Sequence, residues 1–272
     1  MKLYSDGVNY YLTIHQNRKD LPYLIMFHGF MGSGQSFDPL IQLLNPFCNP
    51  VTIDLIGHGR TGGPENPIRY SVEKQIFDIR SILDRIKLSP LIIYGYSMGG
   101  RLVLNLLSEI SNYFHGVILE STTCGIKNPD ERKKRAGIDE NRVREIEKNF
   151  AAFLDKWMTL PLFSNINRSS FALENYNKVM RSQNPLLLAA SLRGFGTGNM
   201  ESVCNRLSSI DHRVLLIAGN KDSKFVRIHR KMDQLLPDSN SIEIDEAGHR
   251  VHLDQPVKFI NAIKKYINQL QL

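Results

Sequence analysis

Ser97 stands in "GYSMGG", after the apolar run "LIIY" and before a stretch of helix-like spacing, with glycines at 95, 99 and 100. A serine flanked by glycines at a strand-to-helix junction is how a sharp turn exposes a hydroxyl, because bulkier neighbours would clash there. The helix start that follows offers unbonded N–H groups and a dipole that favour developing negative charge. Such a serine needs an imidazole beside it and a carboxylate to orient the imidazole. Of eight histidines, His249 in "EAGH" alone follows a late strand-like run, and it lies C-terminal to Asp222 in "IAGNKD", itself just past a strand. Ser97, Asp222 and His249 are thus the expected catalytic residues, in the chain order of one known class of triad. The N–H groups of Met98 and of Phe30, in "HGFMG", are the expected oxyanion hole, on position alone, since backbone atoms act there.

Other placements compete less well. Asp222 also suits a turn, and Asp245 is only four residues from His249, poorly placed to reach the far side of its ring. His28 and His58 lie in Gly-rich turns where structural hydrogen bonds are expected. His15, His115, His212, His229 and His252 read as surface or loop residues.

The elements that must hold these residues show a consistent rhythm. Residues 8–16 read as an edge strand, and "YLIMF" (23–27), "NPVTIDL" (49–55), "LIIYG" (91–95) and "GVILEST" (116–122) as buried strands. Between them, "SFDPLIQLL" and 72–86 have helical spacing, as does the run from the serine turn to about Ser108. Continuous apolar strands alternating with helices predict a mostly parallel sheet covered on both faces. In such a sheet ligands sit outside the carboxyl ends of the strands, where all the candidate residues fall. Residues 123–204 carry no strand-like run but several amphipathic segments, including "NRVREIEKNFAAFLDKWM" and "PLLLAASLRGF", which predicts a helical cap inserted in a core of 1–122 and 205–272. The strand–helix rhythm then returns through "RVLLIAG" (213–219), "VRIHRKMDQLL", "SIEIDEAG" (241–248) and a closing helix.

The chain has 272 residues, 42% of them hydrophobic, enough for one large core with an appendage. Its net charge of +7, from 34 Lys and Arg against 27 Asp and Glu, suits an acidic partner or simply a basic surface. No basic block is interleaved with aromatics, and "ERKKR" (131–135) reads as an isolated helical patch, so no nucleic-acid partner is expected. The three cysteines, Cys48, Cys124 and Cys204, are odd in number and widely spaced; free thiols in a reducing compartment are expected, with neither a disulfide nor a zinc site. No apolar run has the length of a membrane span, and the N-terminal residues lack a signal-peptide pattern. A cytoplasmic protein with no metal, cofactor, membrane or obligate protein partner is the expectation.

His28-Gly29-Phe30, Gly57-His58-Gly59, "GYSMGGR", "KDSKF" and "AGHRVHLDQP" together resemble the α/β-hydrolase superfamily over the whole chain. Within it, Arg101 directly after the serine turn, "ESTTCGI" followed by "DERKKR", Trp157 in "KWMTLPLF", the "MRSQN" arginine and "DSKF" resemble the 2-succinyl-6-hydroxy-2,4-cyclohexadiene-1-carboxylate (SHCHC) synthases of menaquinone biosynthesis. That resemblance implies the α/β-hydrolase fold and a lyase reaction, elimination of pyruvate from a cyclohexene carrying an enolpyruvyl ether, a ring carboxylate and a succinyl chain. It also implies that Arg101, Arg135 and Arg181 line a cleft for this polycarboxylate, with Trp157 and Tyr96 as walls. Each arginine alone also suits a solvated helix face, though less well than the cleft, Arg132 competes with Arg135, and Trp157 suits plain cap packing equally. Two departures from the superfamily pattern are Arg60-Thr61 after Gly59 and Arg250 after His249. A carboxylesterase, thioesterase or carbon–carbon bond hydrolase with the same triad, or a non-catalytic ligand receptor, are the alternatives.

Overall fold

A computed structural model describes residues 1–160 and 171–272. Its centre is an eight-stranded sheet of order β1-β2-β4-β3-β5-β6-β7-β8. The strands are β1 Lys2–Ser5, β2 Val8–Ile14, β3 Tyr23–Phe27, β4 Asn49–Ile53, β5 Leu91–Tyr96, β6 Gly116–Glu120, β7 Val214–Gly219 and β8 Ser239–Ile244. From β4 to β8 every pairing is parallel, while β1 and β2 are antiparallel additions at one side. The first segment is therefore a hairpin, and the expected edge strand 8–16 is the second strand in. Its outer neighbour β1 is too short and too polar to stand out by alternation, and the Asp6-Gly7 turn, both residues at positive φ, closes the pair.

Neighbouring residues along each buried strand enter opposite layers. On β3, Ile25 and Phe27 join the core beneath α2 (Val72–Ile86) and α3 (Met98–Ile110). Leu24 and Met26 join the core beneath α1 (Asp38–Leu44) and the C-terminal helix, Pro256–Gln269. Both faces are dry, which is why these strands read as unbroken apolar runs.

Among the described residues, four α-helices lie between β6 and β7: α4 Pro129–Lys148, α5 Phe150–Met158, α6 Phe171–Arg181 and α7 Pro185–Phe195. The stretch 141–158, read as one segment, is two helices broken at Asn149, whose side chain accepts from Ala152 N and caps α5. Asn128 and Asn184 cap α4 and α7 in the same way. Arg193 of α7 bonds Glu140 and Glu147 of α4, clamping the two helices together. An apolar cluster including Ile146, Phe153 and Met180 seats these helices on Met31 and Leu253 of the core.

The cysteines depart from expectation. Cys124 and Cys204 form a disulfide across Cα atoms 4.9 Å apart, and Cys48 is free and buried. Eighty residues separate the pair in sequence, so spacing gave no hint; the chain brings them together because it leaves and re-enters the core at one place, where Val203 N also donates to Cys124 O. Among the described residues no helix is long and apolar enough to cross a membrane.

Candidate active site

The turn after β5 is built by absence of side chains. A Cβ on Gly95 would lie 2.6 Å from Gly100 Cα, and one on Gly99 2.4 Å from Phe27 O. Between them Ser97 adopts φ 51°, ψ −104°, a strained backbone costing roughly 1–3 kcal/mol. It is held by Ser97 N–H donating to Glu120 O (2.9 Å) and by the Thr122 hydroxyl donating to Ser97 O (2.7 Å). The Ser97 hydroxyl caps no helical N–H, so it stays available to the cavity.

His249 follows β8 and is 3% exposed. Its Nε2 lies 3.1 Å from Ser97 Oγ and its Nδ1 2.7 Å from Asp222 Oδ2. A carboxylate only accepts, which assigns the proton to Nδ1 and leaves the Nε2 lone pair for the serine hydroxyl. Asp222 is fixed in turn as the N-cap of α8 (Ser223–Asp233), its Oδ1 accepting from Phe225 N at 3.3 Å. The His249 ring packs against Phe225 (4.5 Å) and Tyr96 (5.6 Å). Asp245 is exposed and accepts from Asn220, away from His249.

Phe30 and Met98 both line the cavity next to Ser97. Neither N–H donates to an acceptor among the described residues; Met98 opens α3, where the first N–H groups have no partner within the helix, and Phe30 lies in the turn after β3. The cavity, about 620 Å³, lies between the sheet's carboxyl edge and the cap helices. Tyr96, Trp157 and Leu192 supply walls. Trp157 meets Phe30 edge-on at 6.1 Å, and Tyr96 is buried against the ring of His252 at 4.8 Å.

Of the expected arginines, two reach the cavity. Arg101 is 7% exposed, donates from Nη1 to Phe195 O (2.8 Å) and Met200 Sδ (3.3 Å), and lies over the Phe195 ring. Burial, helped by the nearby Arg135 charge, pushes it down to about 9, so it is still a cation at neutral pH. Arg135 lines the cavity and its Nε bonds both oxygens of Asp139, at 2.9 and 3.0 Å; Arg132 is not part of the lining. Arg181 is not brought there. It pairs with Asp155 at 3.2 Å, both side chains more than half exposed, because α6 turns that residue outward.

Two further cations, Arg142 and Lys224 of "DSKF", are not among the residues expected from sequence. Both line the cavity. Arg142 is seven residues beyond Arg135, two turns along α4 and so on the same face, which was a usable signal. Burial, and next the Arg135 charge, lower the Lys224 ammonium from its ordinary value. Arg250, one of the departures, is buried over the Tyr176 ring at 4.9 Å, and Arg60 lies over the Tyr11 ring at 4.4 Å. Two histidines read as surface residues are core residues. His229 accepts from Thr122 N (3.1 Å), and His252 pairs with the buried Glu120 (2.9 Å). His28 accepts from Leu55 N, and His58 meets Ile56 O, both structural contacts. Among the described residues no group of His, Cys, Asp and Glu could hold a metal ion.

Comparison with known proteins gives the same picture. The model of the alpha/beta hydrolase fold family matches residues 22–256. A Bacillus subtilis (strain 168) protein provisionally named 2-succinyl-6-hydroxy-2,4-cyclohexadiene-1-carboxylate synthase is 35% identical over 98% of this chain and 97% of its own. The synthase of that name from Escherichia coli (strain K12 / DH10B) is 26% identical over 91% of this chain and 94% of its own. The structure of MenH from S. aureus superposes with a TM-score of 0.90 at 28% identity, covering 97% of this chain and 99% of that one. The chain belongs to the α/β-hydrolase fold family and is closely related, along its whole length, to the SHCHC synthases within it.

Proposed function

We propose that the protein is a carbon–oxygen lyase that eliminates pyruvate from an enolpyruvyl-cyclohexene succinyl carboxylate to give SHCHC, in menaquinone biosynthesis. The observation that carries the reading is a serine–histidine–aspartate chain opening into a cavity whose walls include Arg101, Arg135, Arg142 and Lys224. A simple ester needs no such surplus of cations. A substrate with several carboxylates does, and each charge-assisted hydrogen bond contributes about 1.5–3 kcal/mol.

In this mechanism the Ser97 proton moves to His249 Nε2, and Asp222 steadies the imidazolium through Nδ1–H. Ser97 Oγ takes the proton α to the succinyl carbonyl. The N–H groups of Phe30 and Met98 hold the enolate oxygen that results. Electrons then pass through the ring double bond and expel enolpyruvate. The proton parked on His249 is returned as enolpyruvate becomes pyruvate, so the enzyme ends as it began. No water is consumed and no acyl-enzyme forms. Residues 123–204 act as the cap that roofs this chemistry and 1–122 with 205–272 as the core, and a cytoplasmic location belongs to the same proposal.

A coupled assay of pyruvate release from the enolpyruvyl substrate tests the reading. Turnover of p-nitrophenyl esters without pyruvate release would replace it with the hydrolase alternative, which the intact triad favours. Cell fractionation with activity followed in each fraction tests the location.

A further inference from the structure

We propose that Arg142, sharing the buried Asp139 with Arg135, forms a carboxylate-binding subsite of the cavity and supplies the third arginine contact that Arg181 does not. The inference rests on the polycarboxylate reading of the same site. It starts from Asp139, which is 1% exposed. Arg135 Nε reaches both of its oxygens, and Arg142 Nη1 reaches Oδ1 at 2.9 Å. Two guanidinium groups thus share one carboxylate, which leaves one positive charge uncompensated at this point of the wall.

The donors divide in the same way. Asp139 takes only the Nε of Arg135 and one terminal nitrogen of Arg142. Among the described residues the remaining N–H groups of both have no protein acceptor. Both side chains line the cavity and are a little over a quarter exposed. A guanidinium pair whose outer forks face a cavity fits planar, bidentate carboxylate recognition.

Arg142 is also held in plane. Its guanidinium lies over the Trp157 ring at 5.3 Å, and Phe153 and Phe30 fix that ring in turn. Trp157 therefore acts in the site as the floor under a cation. Burial, and next the Arg135 charge, lower the Arg142 guanidinium from its ordinary value, so an anion arriving between the two arginines relieves their repulsion. Arg181 has none of these features: it is exposed, and Asp155 neutralises it.

The test is binding of 2-succinylbenzoate, a stable dicarboxylate that is the dehydrated, aromatic form of SHCHC, measured by titration calorimetry at two salt concentrations. Arg142→Gln should weaken binding about tenfold or more and reduce its salt dependence, with an unchanged melting temperature. Arg142→Lys should recover part of the loss, because it keeps the charge without the planar fork. Arg181→Gln should bind within twofold of the parent. Loss of binding in Arg181→Gln, with Arg142→Gln unaffected, would overturn the proposal. So would equal binding by all variants, or no binding by the parent at millimolar ligand. Should Arg142→Gln melt early, the Arg142→Lys comparison decides: binding equal to the parent overturns the proposal, and a several-fold loss supports it. Binding does not require turnover, so a protein that binds through Arg142 yet releases no pyruvate refutes the lyase reading and leaves the subsite standing.

Discussion

Replacing Arg101 by leucine separates recognition from folding. The guanidinium has five N–H donors, and the structure uses one nitrogen of it, Nη1, on Phe195 O and Met200 Sδ. The rest are available to a substrate carboxylate. Losing one charge-assisted contact, about 1.5–3 kcal/mol, lowers kcat/KM by roughly 10- to 150-fold. The fold pays separately, since Phe195 O near the end of α7 loses its donor, at about 1–3 kcal/mol. Against this, a cation that burial already disfavours is no longer held in a dry site. The two effects oppose, so the melting temperature should move by only a few degrees. Pyruvate release measured with purified Arg101→Leu and Arg101→Lys, each with a melting curve, gives the answer. Unaltered kinetics in a folded Arg101→Leu protein refutes the reasoning and removes Arg101 from the site.

Other outcomes follow from the same geometry. Ser97→Ala and His249→Ala should each lower pyruvate release by at least about 100-fold in steady-state assays, with no covalent adduct on the parent enzyme by intact-mass measurement during turnover. Gly99→Ala places a methyl 2.4 Å from Phe27 O and should destabilise by about 1–3 kcal/mol or more in urea titrations, whereas Gly62→Ala, with open space around it, should be neutral. His28, His58 and His229 are lowered by burial from 6.5 to about 4, 3 and 4. Below pH 6.5 the unfolded chain takes up protons that the native one refuses, so stability falls on acidification, by up to about 4 kcal/mol per pH unit for three such groups. Urea midpoints that stay flat between pH 7 and 5 would contradict this.

What was legible in the chain was what local chemistry determines. Glycines 95 and 99 are required by contacts below 3 Å to backbone atoms, so their pattern around Ser97 is informative on its own. The buried strands announced themselves because both faces of the sheet are dry. Arg135 and Arg181 were harder, since whether a cap arginine faces the cavity depends on the rotation of its helix against neighbours, and mixed polar helices leave that open. Arg142 went unseen because its role depends on Asp139 and Trp157, three and fifteen residues away, meeting it in space. His229 and His252 read as surface or loop residues in sequence because their partners lie far along the chain: one ring accepts from Thr122 N and the other faces Glu120. The cysteine pair was beyond reach for the same reason, being joined by tertiary structure alone.

The Cys124–Cys204 bond bears on what happens when the chain is cut. It turns residues 124–204 into a closed covalent ring hung from the sheet at one point. A single proteolytic nick anywhere inside the ring opens it without dividing the molecule, and the pieces that carry Ser97 on one side and Asp222 with His249 on the other stay attached. Under reducing conditions the same nick yields two chains, each with part of the triad.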